Sequence, residues 1–306
     1  MIPVLRRLAS LIALLALSLE GTLARQEPVS RTIFKSAVER VPVATVVRTR
    51  AGKPVTNLTR DDFQLFDNGH ARAITDFQSD PTPVSLLLLI DLSGSMALNG
   101  RWEATQRVAE QLELFLKPRE DEVGLYTFDK RLQELEPFGS PIGDVRHSLT
   151  ALRPFGMTSL YDAIAEAGRL LGARPGTRRA VVAVTDGEDN ASRLTATQVS
   201  ALASSIDVPV YIVMVASGDS QGPPAPDAPT EAVQRGRLAD LAHWTGGELF
   251  RSKNPIEDRR AAGQIVAELR QQYLIVFAPD AEPGWHSIVI QTRFKDLAVR
   301  ARNGYL

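Results

Sequence analysis

Cysteine is missing from all 306 residues. Disulfides, thiol catalysis, thiolate metal sites and a lipid carried on an N-terminal cysteine are thereby excluded, and the chain must fold on its hydrophobic core alone. Histidine is nearly as scarce: His70, His147, His243 and His286 stand apart, none at the spacing of a metal-binding pair, and they read as surface or packing residues. Charge of one sign is lacking too. A net charge of -1 with no long block of like charge argues against nucleic acid or an anionic lipid surface as the partner. Also absent is any apolar run of the ~20 residues that a spanning helix needs. The run from Leu8 to Leu19 falls well short, follows the basic pair Arg6 and Arg7, and leads to Thr22-Leu23-Ala24, small residues at signal-peptidase spacing. Residues 1–25 are therefore expected to be a secretory signal. The remainder is expected to be an exported bacterial protein, periplasmic or secreted, without stable membrane insertion.

What is present is a change of grammar along the chain. Residues 26–80 alternate in the manner of strands: Val43, Thr45 and Val47, then Phe63 and Leu65 before the hairpin signal Asp67-Asn68-Gly69, then Ala73, Thr75 and Phe77. Asp80-Pro81-Thr82-Pro83 breaks the pattern. Over residues 84–279 apolar strands alternate with helical periodicity, which argues for a doubly wound, mostly parallel sheet flanked by helices. Strands are expected at Val84 to Ile90, Val123 to Phe128, Ala180 to Val184, Pro209 to Val215 and Tyr273 to Phe277. Helices are expected from Arg101, Gly143, Leu160, Ala196, Gln234 and Glu257, and Gly218 to Thr230 reads as a loop. Residues 280–306 return to strand alternation. Neither β-rich flank can bury a core alone, so the two are expected to meet in one small β-sandwich at the base of the α/β region.

Chemistry concentrates where two apolar strands end and where one helical pattern begins. Asp91-Leu92-Ser93-Gly94-Ser95 follows the run Val84 to Ile90, placing one carboxylate and two hydroxyls on a tight turn. Hard cations want such oxygen ligands, and hydroxyls supply them without adding negative charge. Further oxygens are offered by Gly156-Met157-Thr158-Ser159 and by Thr185-Asp186-Gly187-Glu188-Asp189-Asn190. A parallel sheet presents its ligands at that edge.

The series Asp-x-Ser-x-Ser, a later Thr and Thr-Asp-Gly resembles the metal-ion-dependent adhesion site of the von Willebrand factor A family. The resemblance implies that Asp91, Ser93, Ser95, Thr158 and Asp186 hold a divalent cation. Oxygen-only ligands favour Mg2+, with Mn2+ or Ca2+ as alternatives. More widely, the chain resembles exported bacterial proteins with a domain of that type at the centre, through Asp61-Asp62-Phe63, Asp67-Asn68-Gly69, Thr245-Gly246-Gly247, Gln272-Tyr273 and Arg302-Asn303-Gly304-Tyr305. The implied function is non-enzymatic: recognition of a protein whose Asp or Glu carboxylate completes the ion's coordination. One alternative makes the ion a mere tie between loops. Another makes Asp91 the nucleophile of a Mg-dependent phosphotransferase, against which Ser93 stands where a second carboxylate is wanted. A serine hydrolase is excluded by the missing Gly-x-Ser-x-Gly frame. Glu188 and Asp189 read as solvated loop acids and Asp162 as a complement to its helix N-terminus. Trp102, Tyr161 and Phe155 read as core residues, or as a rim around the ion.

Overall fold

The computed structural model describes residues 40–138, 145–176, 178–205, 207–215, 231–280 and 282–306. The expected signal segment and the loop Gly218 to Thr230 lie outside these. Among the described residues no helix is long and apolar enough to cross a membrane.

The α/β layer is a six-stranded sheet in the order β10-β9-β8-β5-β6-β7. Its parallel members are β5 (Ser85–Asp91), β6 (Glu122–Phe128), β8 (Arg179–Thr185), β9 (Val210–Val215) and β10 (Leu249–Ser252), and β7 (Leu132–Glu136) closes one edge antiparallel. Leu86, Leu88 and Ile90 face one core with α1 (Arg101–Phe115), α2 (Val145–Thr150) and α6 (Pro255–Gln271). Leu87 and Leu89 face the other with α3 (Leu160–Gly172), α4 (Ala196–Ser205) and α5 (Glu231–Trp244). A strand covered on both faces is apolar at every position, which is why β5 reads as an unbroken run. The sequence did not signal β7, which is rich in glutamate, or β10, which is only four residues long.

The flanks form two antiparallel sheets. One has the order β13-β1-β11-β4, built from β13 (Leu297–Ala301), β1 (Val41–Thr49), β11 (Tyr273–Phe277) and β4 (Ile74–Gln78). The other is β14-β12-β2-β3, built from β14 (Gly304–Tyr305), β12 (His286–Thr292), β2 (Phe63–Asp67) and β3 (His70–Arg72). Val43, Val47, Tyr273, Ile275 and Phe277 from the first share a core with Phe63, Leu65, Ile288, Ile290 and Tyr305 from the second. The hairpin β2–β3 turns through Asn68 and Gly69, both at positive φ as a tight two-residue turn requires.

One strand departs from expectation. Tyr273–Phe277 was assigned by alternation to the parallel sheet, yet it lies between β1 and β4. All five of its residues are buried, so its sequence is that of any strand covered on both faces.

The sandwich joins the α/β layer at the edge where the parallel strands begin. Arg302 donates to the carbonyls of Ser204 and Pro42. Thr245 Oγ1 accepts from Val210 N at 3.0 Å and donates to Ala242 O at 2.9 Å, while a Cβ at Gly247 would overlap the Val210 carbonyl. Thr245 pairs with Arg302 and Asn303 N donates to Trp244 O at 2.9 Å, so Thr245-Gly246 and Arg302-Asn303 are joints between the layers. Arg178, buried at the foot of β8, donates to Thr82 Oγ1 at 3.0 Å, Asp80 O at 3.2 Å and the Gln272 carbonyl.

Candidate metal centre

The chain runs from β5 out to β6 and β7 and then returns to the other side of β5 as β8, so the winding reverses there. Such a reversal leaves a crevice at the carboxyl ends of the two strands, where ligands bind in sheets of this kind. Asp91 is the last residue of β5, and Thr185, the last of β8, precedes Asp186.

Asp91 is completely buried. Its Oδ1 accepts from Ser93 N at 2.9 Å and its Oδ2 from Thr185 Oγ1 at 2.6 Å. Burial, and then the charge of Asp186, push its carboxyl up to about 7. Ser93 Oγ lies 3.2 Å from Ser95 Oγ. Asp186 accepts from Glu188 N at 3.1 Å through Oδ1 and from Arg101 Nη1 at 2.6 Å through Oδ2. The same guanidinium nitrogen donates to Ser95 O at 3.1 Å, tying the Asp91 and Asp186 loops together.

Thr158 is buried on the third loop. That loop is fixed to the first by Gly94 N to Gly156 O at 3.0 Å and Phe155 N to Leu92 O at 2.8 Å. It is fixed to the loop after β8 by Thr158 N to Asn190 Oδ1 at 2.9 Å and by Asn190 N and Ala191 N to Thr158 O. A Cβ on Gly94 would stand 3.3 Å from Gly156 O, so this approach of two backbones favours glycine. Asp91, Ser93, Ser95 and Asp186 are joined by the hydrogen bonds above. Thr158 is brought to them through its backbone.

The donor set fits a hard cation. Neighbouring ligands of an octahedral Mg2+ ion at ~2.1 Å stand about 3 Å apart, close to the separation of the two serine hydroxyls. The Asp186 carboxylate is paired with Arg101, and its charge adds to burial in raising the Asp91 carboxyl. Among the described residues no group of three or more His, Cys, Asp or Glu side chains is placed to hold a metal ion. A cation at this edge therefore depends on hydroxyls as much as on carboxylates.

Arg101 and Thr185 were not found by sequence reasoning. Thr185 carried a signal, being a hydroxyl directly between an apolar strand and Asp186. Arg101 carried one too: it is the first residue of α1, where the helix dipole disfavours a cation, so its placement asks for another cause. The other flagged residues have local work. Asp189 accepts from Tyr161 N and Ser192 N, and Asp162 from Arg193 N and Leu194 N, so both brace the loops around the start of α3. Burial, followed by the charge of Asp186, raises the carboxyl of Glu188. Trp102 belongs to the core, whereas Phe155 stands in solvent.

Residues 86–188 match the family model of the von Willebrand factor type A domain. No curated protein matches the chain. Among solved structures it is similar to proximal thread matrix protein 1 from the mussel byssus, with a TM-score of 0.50 and 15% identity over 67% of this chain and 51% of that one. A structure of the same mussel protein with a zinc-occupied MIDAS motif gives a TM-score of 0.50 and 15% identity, covering 65% and 48% of the two chains. The conserved hypothetical protein BatB from Bacteroides thetaiotaomicron aligns at a TM-score of 0.49 and 20% identity, over 61% of this chain and 98% of that one. Strand order, helices on both faces and the matched segment agree with the fold of a von Willebrand factor type A domain, to which residues 86–188 are similar.

Proposed function

We propose that the protein is a non-enzymatic recognition module that captures a protein partner through a divalent cation held by Asp91, Ser93, Ser95, Thr158 and Asp186. The observation that carries this reading is the convergence of oxygen donors at the carboxyl edge of the sheet: Asp186, paired with Arg101, lies near enough to the buried Asp91 for its charge to help raise that carboxyl, and Ser93 Oγ stands 3.2 Å from Ser95 Oγ. Domains of this family mediate protein–protein interactions and commonly bind a divalent cation, and the mussel protein has been seen with zinc in the corresponding motif. Bound here, Mg2+, or Mn2+ or Ca2+ in its place, supplies Lewis acidity toward an incoming Asp or Glu carboxylate.

The chain's own residues do the rest. Ser93 N and Thr185 Oγ1 fix the orientation of Asp91, and Glu188 N fixes that of Asp186. Arg101 cancels part of the negative charge, so the site retains an appetite for one more anion from outside. Protein-to-protein bonds already fasten the three loops, which weighs against a cation that only ties them together. The phosphotransferase alternative wants a second carboxylate two positions after Asp91, where Ser93 stands. Export to the periplasm or beyond remains part of the proposal, resting on the leader reading.

Isothermal calorimetry with Mg2+, paired with capture from a bacterial envelope extract in Mg2+ and in EDTA, tests the reading. Asp91→Asn and Asp186→Ala are expected to abolish both the binding heat and the captured partner while leaving the metal-free melting temperature near that of the parent. A partner retained in EDTA and by both variants would move recognition away from this edge.

A further inference from the structure

The surface around the three loops is not uniform. Leu98, Phe155 and Met157 are 57, 82 and 41% exposed, and all three lie on the first and third loops. Other exposed apolar residues, such as Leu114, Leu170, Ile256 and Val289, each sit on a different element. Single exposed apolar residues are ordinary, whereas a group of them on directly bonded loops marks a contact surface. The backbone that carries the Phe155 ring is fixed to the first loop, its N–H bonded to Leu92 O at 2.8 Å.

On the other side of Thr158 lies a groove of about 540 Å³ whose lining includes Lys130, Arg131, Ser159, Asp162, Glu166 and Arg193. Asp162 is paired with Arg193, and Glu166 with Arg169. Lys130 and Arg131 have no acidic partner among the described residues, so the groove carries uncompensated positive charge. Their turn is not adrift, because Asp129 O accepts from Ser159 N at 2.8 Å, one residue past Thr158. Phe155 to Ser159 is one short loop, so at most about 14 Å of backbone separates the apolar rim from the groove. An extended segment of a few residues spans that distance.

We propose that this face selects an extended acidic polypeptide segment: one carboxylate enters the metal centre, an apolar or aromatic side chain packs on Leu98, Phe155 and Met157, and further acidic side chains lie along Lys130 and Arg131. The proposal rests on the metal-dependent reading above for the first of these contacts only. The rim contributes desolvation around the carboxylate, and the basic groove contributes orientation and speed of encounter. The occupant is a protein segment, because the groove joins an apolar rim and does not form a uniformly basic surface.

Selection of a displayed library of short random peptides on the intact protein in Mg2+ tests it. Enriched peptides are expected to combine an aromatic or aliphatic residue with two or more acids. They are expected to weaken by about tenfold with Phe155→Ser and with the double variant Lys130→Gln and Arg131→Gln. Both sets of substitutions lie on the surface, and Mg2+ calorimetry is expected to be unchanged in each. Peptides without acidic bias, or binding indifferent to both sets, would overturn the proposal while leaving the metal reading intact. Acidic peptides that need Lys130 and Arg131 yet survive EDTA would uphold the groove and defeat the metal reading.

Discussion

Two clusters of buried charge sit at opposite edges of the same parallel sheet. Where the strands begin, Arg48 and Arg300 meet Glu248 and Glu268, with the Tyr211 hydroxyl donating to Glu268 at 3.1 Å. Two positive and two negative groups cancel there. Where the strands end, Asp186 is paired with Arg101, Glu188 lies near both, Asp91 is held by Ser93 N and the Thr185 hydroxyl, and the hydroxyls of Ser93 and Ser95 add polarity without charge. The balanced cluster needs nothing from outside and welds the sandwich to the α/β layer. The second, richer in carboxylates than in cations among the described residues, is where the cation is proposed to bind. Balance therefore separates a joint from a site more cleanly than burial or the presence of carboxylates does.

The comparison breaks most visibly at the joint. Glu268→Gln leaves Arg48 and Arg300 buried against Glu248 alone, and breaking a buried pair in this way costs about 3–5 kcal/mol. Urea denaturation should register that loss, while Mg2+ calorimetry should not change. If Asp91→Asn cost as much in the metal-free protein, the distinction between joint and site would fail.

A smaller effect sharpens it. Arg101→Gln removes the cation paired with Asp186, and Mg2+ is expected to bind at least tenfold more tightly, about 1.4 kcal/mol. Metal-free melting should fall slightly as the bond to Ser95 O is lost. Weaker Mg2+ binding would mean that Arg101 organises the site and does not compete for it.

The smallest lies within the sandwich, where His286 Nε2 donates to Glu282 O at 2.8 Å and Nδ1 faces Asp67 Oδ1 at 3.0 Å. The Glu282 carbonyl first, and then the Asp67 carboxylate, raise the imidazole above its ordinary 6.5. A group so raised contributes stability that is fully present below pH 6.5 and is lost as pH climbs through the folded-state value. Denaturation midpoints should decline gently with pH above 6.5, and His286→Gln should flatten that slope.

Much of the architecture was legible because it is local. Asp67-Asn68-Gly69 specifies a turn from its own backbone preferences, and the helical stripes mark every helix to within a few residues. Of the residues proposed as metal ligands, Asp91, Ser93, Ser95 and Asp186 declared themselves by following apolar runs, and Thr158 by preceding a helical pattern. What failed to show was non-local. Tyr273–Phe277 is buried on both faces in the sandwich as it would be in the parallel sheet, so composition could not choose between them. Arg101 reads as one more surface arginine until the fold carries it across to Asp186, eighty-five positions away. Lys130 and Arg131 look like an ordinary basic turn until Ser159 is seen bonded behind them.

One side chain has a mechanical consequence. The backbone crosses between sandwich and α/β layer twice, through residues 79–84 and at Gln272, and two such crossings side by side would make a natural hinge line. Arg178 grips both, taking Asp80 O and Thr82 Oγ1 from the first and the Gln272 carbonyl from the second. A guanidinium clamped across a hinge turns it into a splint. Tension applied at the carboxyl edge of the sheet would then travel down β5 and β8 into the sandwich as through a single stiff body, instead of being spent on bending the molecule between its two layers.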